Sequence, residues 1–124
     1  MTFQERAEQL AAEMTLEERA LMLCFDSPPV KRLGIPAYHW WNEGLHGVAR
    51  AGTATMFPQA IAMAAMFDAD EMEKIGDIIS TEARAKFNAS RAEGDYDIYK
   101  GLTLWSPNIN IFRDCRWTAA RMTI

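Results

Sequence analysis

Between Tyr38 and Gly47 the chain reads Tyr-His-Trp-Trp-Asn-Glu-Gly-Leu-His-Gly. A carboxylate, a carboxamide and two indoles stand side by side, with His46 three residues after Glu43. Glu43-x-x-His46 has the spacing of half a carboxylate metal site. A di-metal bundle needs a second such pair, and the sequence holds no second copy, so no metal is expected. No glycine-rich phosphate loop is present, and Ser27, Ser80, Ser90 and Ser106 lack the surroundings of a nucleophile elbow. Two indoles beside a carboxylate and an amide fit a sugar: indoles cover apolar C–H faces, and a carboxylate accepts from paired hydroxyls. A second indole site, Trp105-Ser106-Pro107-Asn108, places Trp105 beside polar groups at the end of an apolar run. Glu43 and Trp105 are the candidate substrate-binding residues. The alternative reading makes Trp40, Trp41 and Trp105 core residues and Glu43 a solvated loop acid.

Such side chains need elements to position them. Phe3, Ala7, Leu10, Ala11 and Met14 recur at helical spacing, which predicts an amphipathic helix over 3–14. Thr15-Leu16-Glu17-Glu18 is a capping box that starts a second helix, closed by Asp26-Ser27-Pro28-Pro29. Ala37 to Trp41 is short and aromatic and reads as a strand, with Asn42 and Glu43 at its C-terminal end. Pro58 suits the first turn of a third helix, continued by Ile61, Ala62, Ala65 and Met66. Asp68, with Glu71 three residues on, caps the longest helix, whose buried stripe is Met72, Ile75, Ile79, Glu82-Ala83 and Phe87. The polar run 88–101 reads as a loop. Leu102 to Phe112 has strand character, broken by Pro107. Strands separated by long helical stretches predict an α/β fold.

The totals narrow the classes. A chain of 124 residues, 49% hydrophobic and 24% charged, suggests one domain with a real core. Net charge is −4 and basic residues occur no closer than isolated pairs such as Lys31-Arg32, which excludes a nucleic-acid footprint. Met56 to Phe67, the longest nearly apolar run, is too short to span a bilayer and contains Pro58 and Gln59, so no membrane partner is expected. Charged residues crowd the first ten positions, with no apolar run of a secretory leader, and a cytoplasmic location is expected. Cys24 and Cys115 lie far apart, without a zinc or disulfide pattern, and read as two thiols in a reducing compartment.

The segment Tyr38 to Asp68, "YHWWNEGLHGVARAGTATMFPQAIAMAAMFD", resembles the start of the N-terminal barrel of family 3 glycoside hydrolases, the group of β-xylosidases and β-glucosidases. "IISTEARAKFN" and "LTLWSPNINIFRD" resemble its next segments, in the same order. The likeness runs from about Met14 to Trp117. It implies the first half of a (β/α)8 TIM-type barrel, helix-rich and with short parallel strands, since 124 residues are half of the about 250 that such a barrel takes. It also implies a retaining glycosidase that removes terminal non-reducing β-linked xylose from xylo-oligosaccharides. Glu43 falls at the position whose carboxylate binds sugar hydroxyls in the non-reducing-end subsite, and Trp105 at an aromatic position lining it. "WWNE" is similar to the β-xylosidase branch, whereas many β-glucosidases carry Asp; the longer Glu arm narrows the pocket against the exocyclic CH2OH of glucose.

The chain departs from this pattern after Trp117. The family continues "RDPRWGRGxETxGEDP", with a substrate-binding arginine after Trp-Gly; here the chain reads "RDCRWTAARMTI". Cys115 stands at the proline, Ala119 at the arginine, and Arg121 comes two residues later. An interrupted reading frame is expected, with residues 118–124 an aberrant tail and the rest of the family architecture missing. No catalytic residue is assigned: the family's Lys-His pair, aspartate nucleophile and second-domain acid/base have no counterpart in these residues. No cofactor is expected. A β-glucosidase of the same family and a non-catalytic carbohydrate-binding or structural fragment are the competing readings, and the chain alone is expected to be inactive.

Overall fold

The computed structural model of the chain describes residues 1–106. Thr2 and Thr15 each start a helix by the same device. Their hydroxyls accept from the amides of Glu5 and Glu18, whose carboxylates accept the threonine amides in return. Helix α1 spans Phe3–Glu13 and α2 spans Leu16–Leu21. The box at Thr15 was legible in the sequence; the one at Thr2 is an addition. Met14 is extended because Thr15, as a cap, cannot continue the preceding helix. Arg32 ties the two helices together: its Nη2 donates to the Glu13 carbonyl at 2.8 Å and its Nε to Glu18 Oε1 at 3.0 Å. The guanidinium beside Glu18, helped by the Thr15 amide, holds that carboxyl below the usual glutamate range.

Strands β1 (Asp26–Ser27) and β2 (Tyr38–His39) pair antiparallel, Asp26 opposite His39 and Ser27 opposite Tyr38. The turn between them holds a short 3-10 helix, Lys31–Leu33, closed by Gly34 at φ 67°. Among the described residues, parallel pairing is confined to a single bridge between Asn42 and Leu104, with the Trp105 amide donating to the Asn42 carbonyl at 2.9 Å. The expected strand over 37–41 is thus two residues long, and its neighbour in the described residues is antiparallel. The expected strand at 102–112 contributes one bridge; its part beyond Ser106 lies outside the described residues. The physical reason is local: Ser27 anchors β1 to the end of α2, with its hydroxyl 3.0 Å from the Cys24 carbonyl, and the turn at Gly34 folds the next segment straight back onto it.

Helix α3, Ala60–Ala64, is little more than one turn and begins after Gln59 rather than at Pro58. Helix α4, Ala69–Ala92, is capped by Asp68, whose carboxylate accepts the Glu71 amide at 3.0 Å. It runs about a turn and a half further than its polar C-terminal sequence predicts. Asn88 and Ser90 are poor helix formers, but Arg91 lies 4.7 Å from the Phe87 ring and 4.1 Å from that of Tyr96, and these contacts hold the last turn. Gly94, at φ 71°, ends it. The main apolar cluster sits between α3 and α4: Ala60, Met63 and Ile75 are buried, with Phe57, Met72 and Ile79 packed around them. Among the described residues no helix is long and apolar enough to cross a membrane.

Candidate functional site

The site is built at the exit of β2. Successive residues of an extended chain point to opposite sides, so the two indoles part company. Trp40 turns back toward β1: its N–H donates to the Ser27 hydroxyl at 2.8 Å and its ring meets the Tyr38 ring edge-on at 4.7 Å. Trp41 turns the other way and stacks on Trp105, with centroids 5.0 Å apart and planes 21° from parallel. None of the three indoles is buried; Trp105 is 59% exposed. The buried members of the stretch are His39, Asn42 and Gly44.

Asn42 brings the two indole segments together. Its Oδ1 accepts the Gly101 amide at 2.7 Å, and its Nδ2 donates to the His39 carbonyl at 3.0 Å and the Thr103 carbonyl at 3.3 Å. Tyr38 does the same from four residues earlier in the chain. Its hydroxyl accepts the amides of Leu102 at 2.8 Å and Thr103 at 3.0 Å, and lies 2.8 Å from the Thr103 hydroxyl. With both lone pairs used, the phenol O–H is the donor to Thr103 Oγ1. Gly101 has to be glycine: a Cβ there would stand 2.6 Å from Asn42 Nδ2 and 2.9 Å from the Tyr38 hydroxyl.

Glu43 stands one residue further on and is half-buried. Trp41 Nε1 donates to its Oε1 at 3.3 Å, and Arg50 Nε lies 3.6 Å from its Oε2. Glu43 and Trp105 are therefore linked through Trp41, which stacks on one and hydrogen-bonds the other. The loop that brings Arg50 back begins with a bridge between Glu43 and Ala49, in which the Ala49 amide donates to the Glu43 carbonyl at 3.0 Å. Helix α4 holds the rest of that loop. Glu82 accepts both the amide and the hydroxyl of Thr55, at 3.0 and 2.6 Å, and Lys86 donates to the Ala51 carbonyl at 2.6 Å. The Thr55 hydroxyl, then its amide, hold the Glu82 carboxyl below the usual glutamate range. On the far side, the ion pair of Lys100 with Asp95 fixes the loop carrying Tyr99; it lowers the aspartate and raises the lysine from their ordinary values.

His46 does not join Glu43 as a ligand pair. Its Nδ1 lies 2.9 Å from the Phe57 carbonyl, and the Phe57 amide donates to its own carbonyl at 2.8 Å. No group of three or more His, Cys, Asp or Glu able to hold a metal occurs among the described residues. What the surface offers is a stacked indole pair, a carboxylate with lone pairs to spare and an adjacent guanidinium. In chemical type that set is suited to a hydroxyl-rich ligand with an apolar face.

Residues 5–122 match the family model described as the glycosyl hydrolase family 3 N terminal domain. The chain belongs to glycoside hydrolase family 3. It is 42% identical over 125 residues to a xylan 1,4-beta-xylosidase of Xylanibacter ruminicola, an alignment covering 99% of this chain and 14% of that protein. It is 42% identical over 133 residues to beta-D-xylosidase 3 of Arabidopsis thaliana, covering 99% of this chain and 16% of that one. The family 3 chain thus spans about one-seventh of the length of these relatives.

Two contributors to this candidate site, Arg50 and Tyr99, went unnoticed in the sequence, and Asn42 reads there only as a member of the sugar-fitting set, not as the buried link between the two indole segments. Arg50 sits in a run of small residues, Val48-Ala49-Arg50-Ala51-Gly52, that reads as a plain loop. Tyr99 lies in a polar segment. Only for Asn42 was a signal present: a carboxamide directly after four aromatic residues has to satisfy its amide inside.

Proposed function

We propose that the protein to which this chain corresponds is a retaining glycosidase that removes terminal β-linked xylose. In this reading Glu43 accepts sugar hydroxyls in the non-reducing-end subsite and Trp105 forms an apolar wall of it. The observation that carries the reading is the coupling of Glu43 to the Trp41–Trp105 stack, which sets a carboxylate beside an exposed aromatic face. The α/β segment is read as the first half of a (β/α)8 barrel, with the site at the C-terminal end of β2, as such barrels carry their ligands at the C-terminal ends of their strands. The names of the xylosidases it resembles favour xylose, and so does Glu rather than Asp at position 43. Retaining hydrolysis needs two carboxyl groups about 5 Å apart. The reading assigns neither within these residues, so this chain alone is not expected to hydrolyse aryl β-xylosides.

The test is a titration of the chain with xylobiose and with cellobiose, followed by indole fluorescence. Xylobiose is expected to bind the more tightly. Glu43→Ala is expected to weaken it at least about tenfold, since hydrogen bonds to a charged group contribute about 1.5–3 kcal/mol. Tighter binding of cellobiose reverses the choice of sugar. Unchanged affinity in Glu43→Ala removes Glu43 from the site.

A further inference from the structure

Arg50 is largely exposed, yet its guanidinium is held from two sides. Its Nε lies 3.6 Å from Glu43 Oε2, and its central carbon lies 5.6 Å from the centroid of the Tyr99 ring. Tyr99 in turn donates its amide to the Trp41 carbonyl at 3.2 Å, and Trp41 donates its indole N–H to Glu43 Oε1. The contacts close a circuit: Trp41 to Glu43, Glu43 to Arg50, Arg50 to Tyr99, Tyr99 back to Trp41. Tyr99 sits at φ 67°, an unfavourable region for so bulky a side chain, and its amide and ring are the two groups that complete the circuit. The bridge between Glu43 and Ala49 fixes the backbone one residue before Arg50, so the arginine cannot drift along the chain away from the carboxylate.

We propose that Arg50 is a positioning residue for Glu43. A carboxylate offers about four lone-pair sites. With the indole on one oxygen and Arg50 on the other, the remaining lone pairs are turned in a fixed direction, toward two neighbouring hydroxyls of a sugar. Arginine suits the task because its planar cation lies over the Tyr99 ring while its edge forms an ion pair with the carboxylate, a geometry that a lysine ammonium lacks. The proposal rests on the reading of Glu43 as the sugar clamp.

The four tryptophans give four indole N–H signals in a chain labelled with 15N-tryptophan, assigned by single substitutions. In Arg50→Ala the Trp41 signal is expected to move toward its position in Glu43→Ala while the other indole signals stay. Affinity for xylobiose is expected to fall about tenfold. Arg50→Lys, which keeps the charge and loses the stacking, is expected to recover part of both. A Trp41 signal that stays in place in Arg50→Ala overturns the proposal. So does unchanged xylobiose affinity in Arg50→Ala when Glu43→Ala no longer binds. If the unsubstituted chain binds no xylobiose, the sugar-clamp reading fails, and the Trp41 signal alone decides whether Arg50 positions Glu43.

Discussion

Asn42 is 1% exposed and each polar atom of its side chain has a partner. The orientation of its amide follows from those partners, since an N–H faces Oδ1 and two carbonyls face Nδ2. Asn42→Ala orphans the buried Gly101 amide, a loss of about 1–3 kcal/mol, and frees the segment that carries Trp105. Asn42→Asp is expected to be no better, because it sets a carboxylate oxygen against the carbonyls of His39 and Thr103. Both substitutions are expected to reduce the near-ultraviolet circular dichroism of the stacked Trp41–Trp105 pair while leaving the helical signal. An unchanged near-ultraviolet spectrum would show that Trp105 is positioned by something other than Asn42.

Helix α4 acts as the fixture for the loop that follows Arg50. Its inner face supplies Ile75 and Ala83 to the apolar interior, its middle holds the 51–55 loop through Glu82 and Lys86, and Arg91 at its end packs on Tyr96. The Glu82 contact is an element-scale pH device. Its folded value is depressed, so its stabilisation is fully present above the unfolded glutamate value, about 4.3, and is lost as pH falls through the lower folded value. The Thr55 amide is therefore expected to be protected from exchange at neutral pH and to lose protection only in that acidic window. Glu82→Gln is expected to show the unprotected behaviour at neutral pH. Glu18 and Asp95 titrate with the same sign, and the Gln substitution separates the share of Glu82 from theirs. Equal protection in both proteins at neutral pH would mean that Lys86 alone holds the loop.

At the scale of the whole molecule, the described residues bury few apolar side chains: Val30, Ala60, Met63, Ile75 and Ala83. Large ones lie in solvent, Phe3 and Phe67 each at 96% exposure and Leu16, Leu23 and Met56 not far behind. The apolar stripe expected of α1 is real, but Leu10 and Met14 are only half-buried and nothing among the described residues covers Phe3. Exposed apolar area on this scale favours association. The chain is expected to bind a hydrophobic dye and to sediment faster as its concentration rises, with helical circular dichroism unchanged. A monomer indifferent to both dye and concentration would show that these faces are covered.

What the sequence by itself determined is what depends on neighbours within about four residues. The capping threonine at position 15, the aspartate at the head of α4, the turn at Gly34 and the order of the helices are set by hydrogen bonds and dihedral preferences that a short stretch contains in full. The family is legible for a related reason, since three motifs in order outlast the divergence between them. Only the tertiary structure decided which indole belongs to the site. Trp40 and Trp41 are identical in local sequence terms, and the pleat together with Ser27 on one side and Trp105 on the other separates them. It also decided the short antiparallel pairing of β1 and β2, the extra length of α4 and the arrival of Arg50 at Glu43. Each of these rests on contacts between segments far apart in the chain, such as Asn42 with Gly101, whose energies no local pattern encodes.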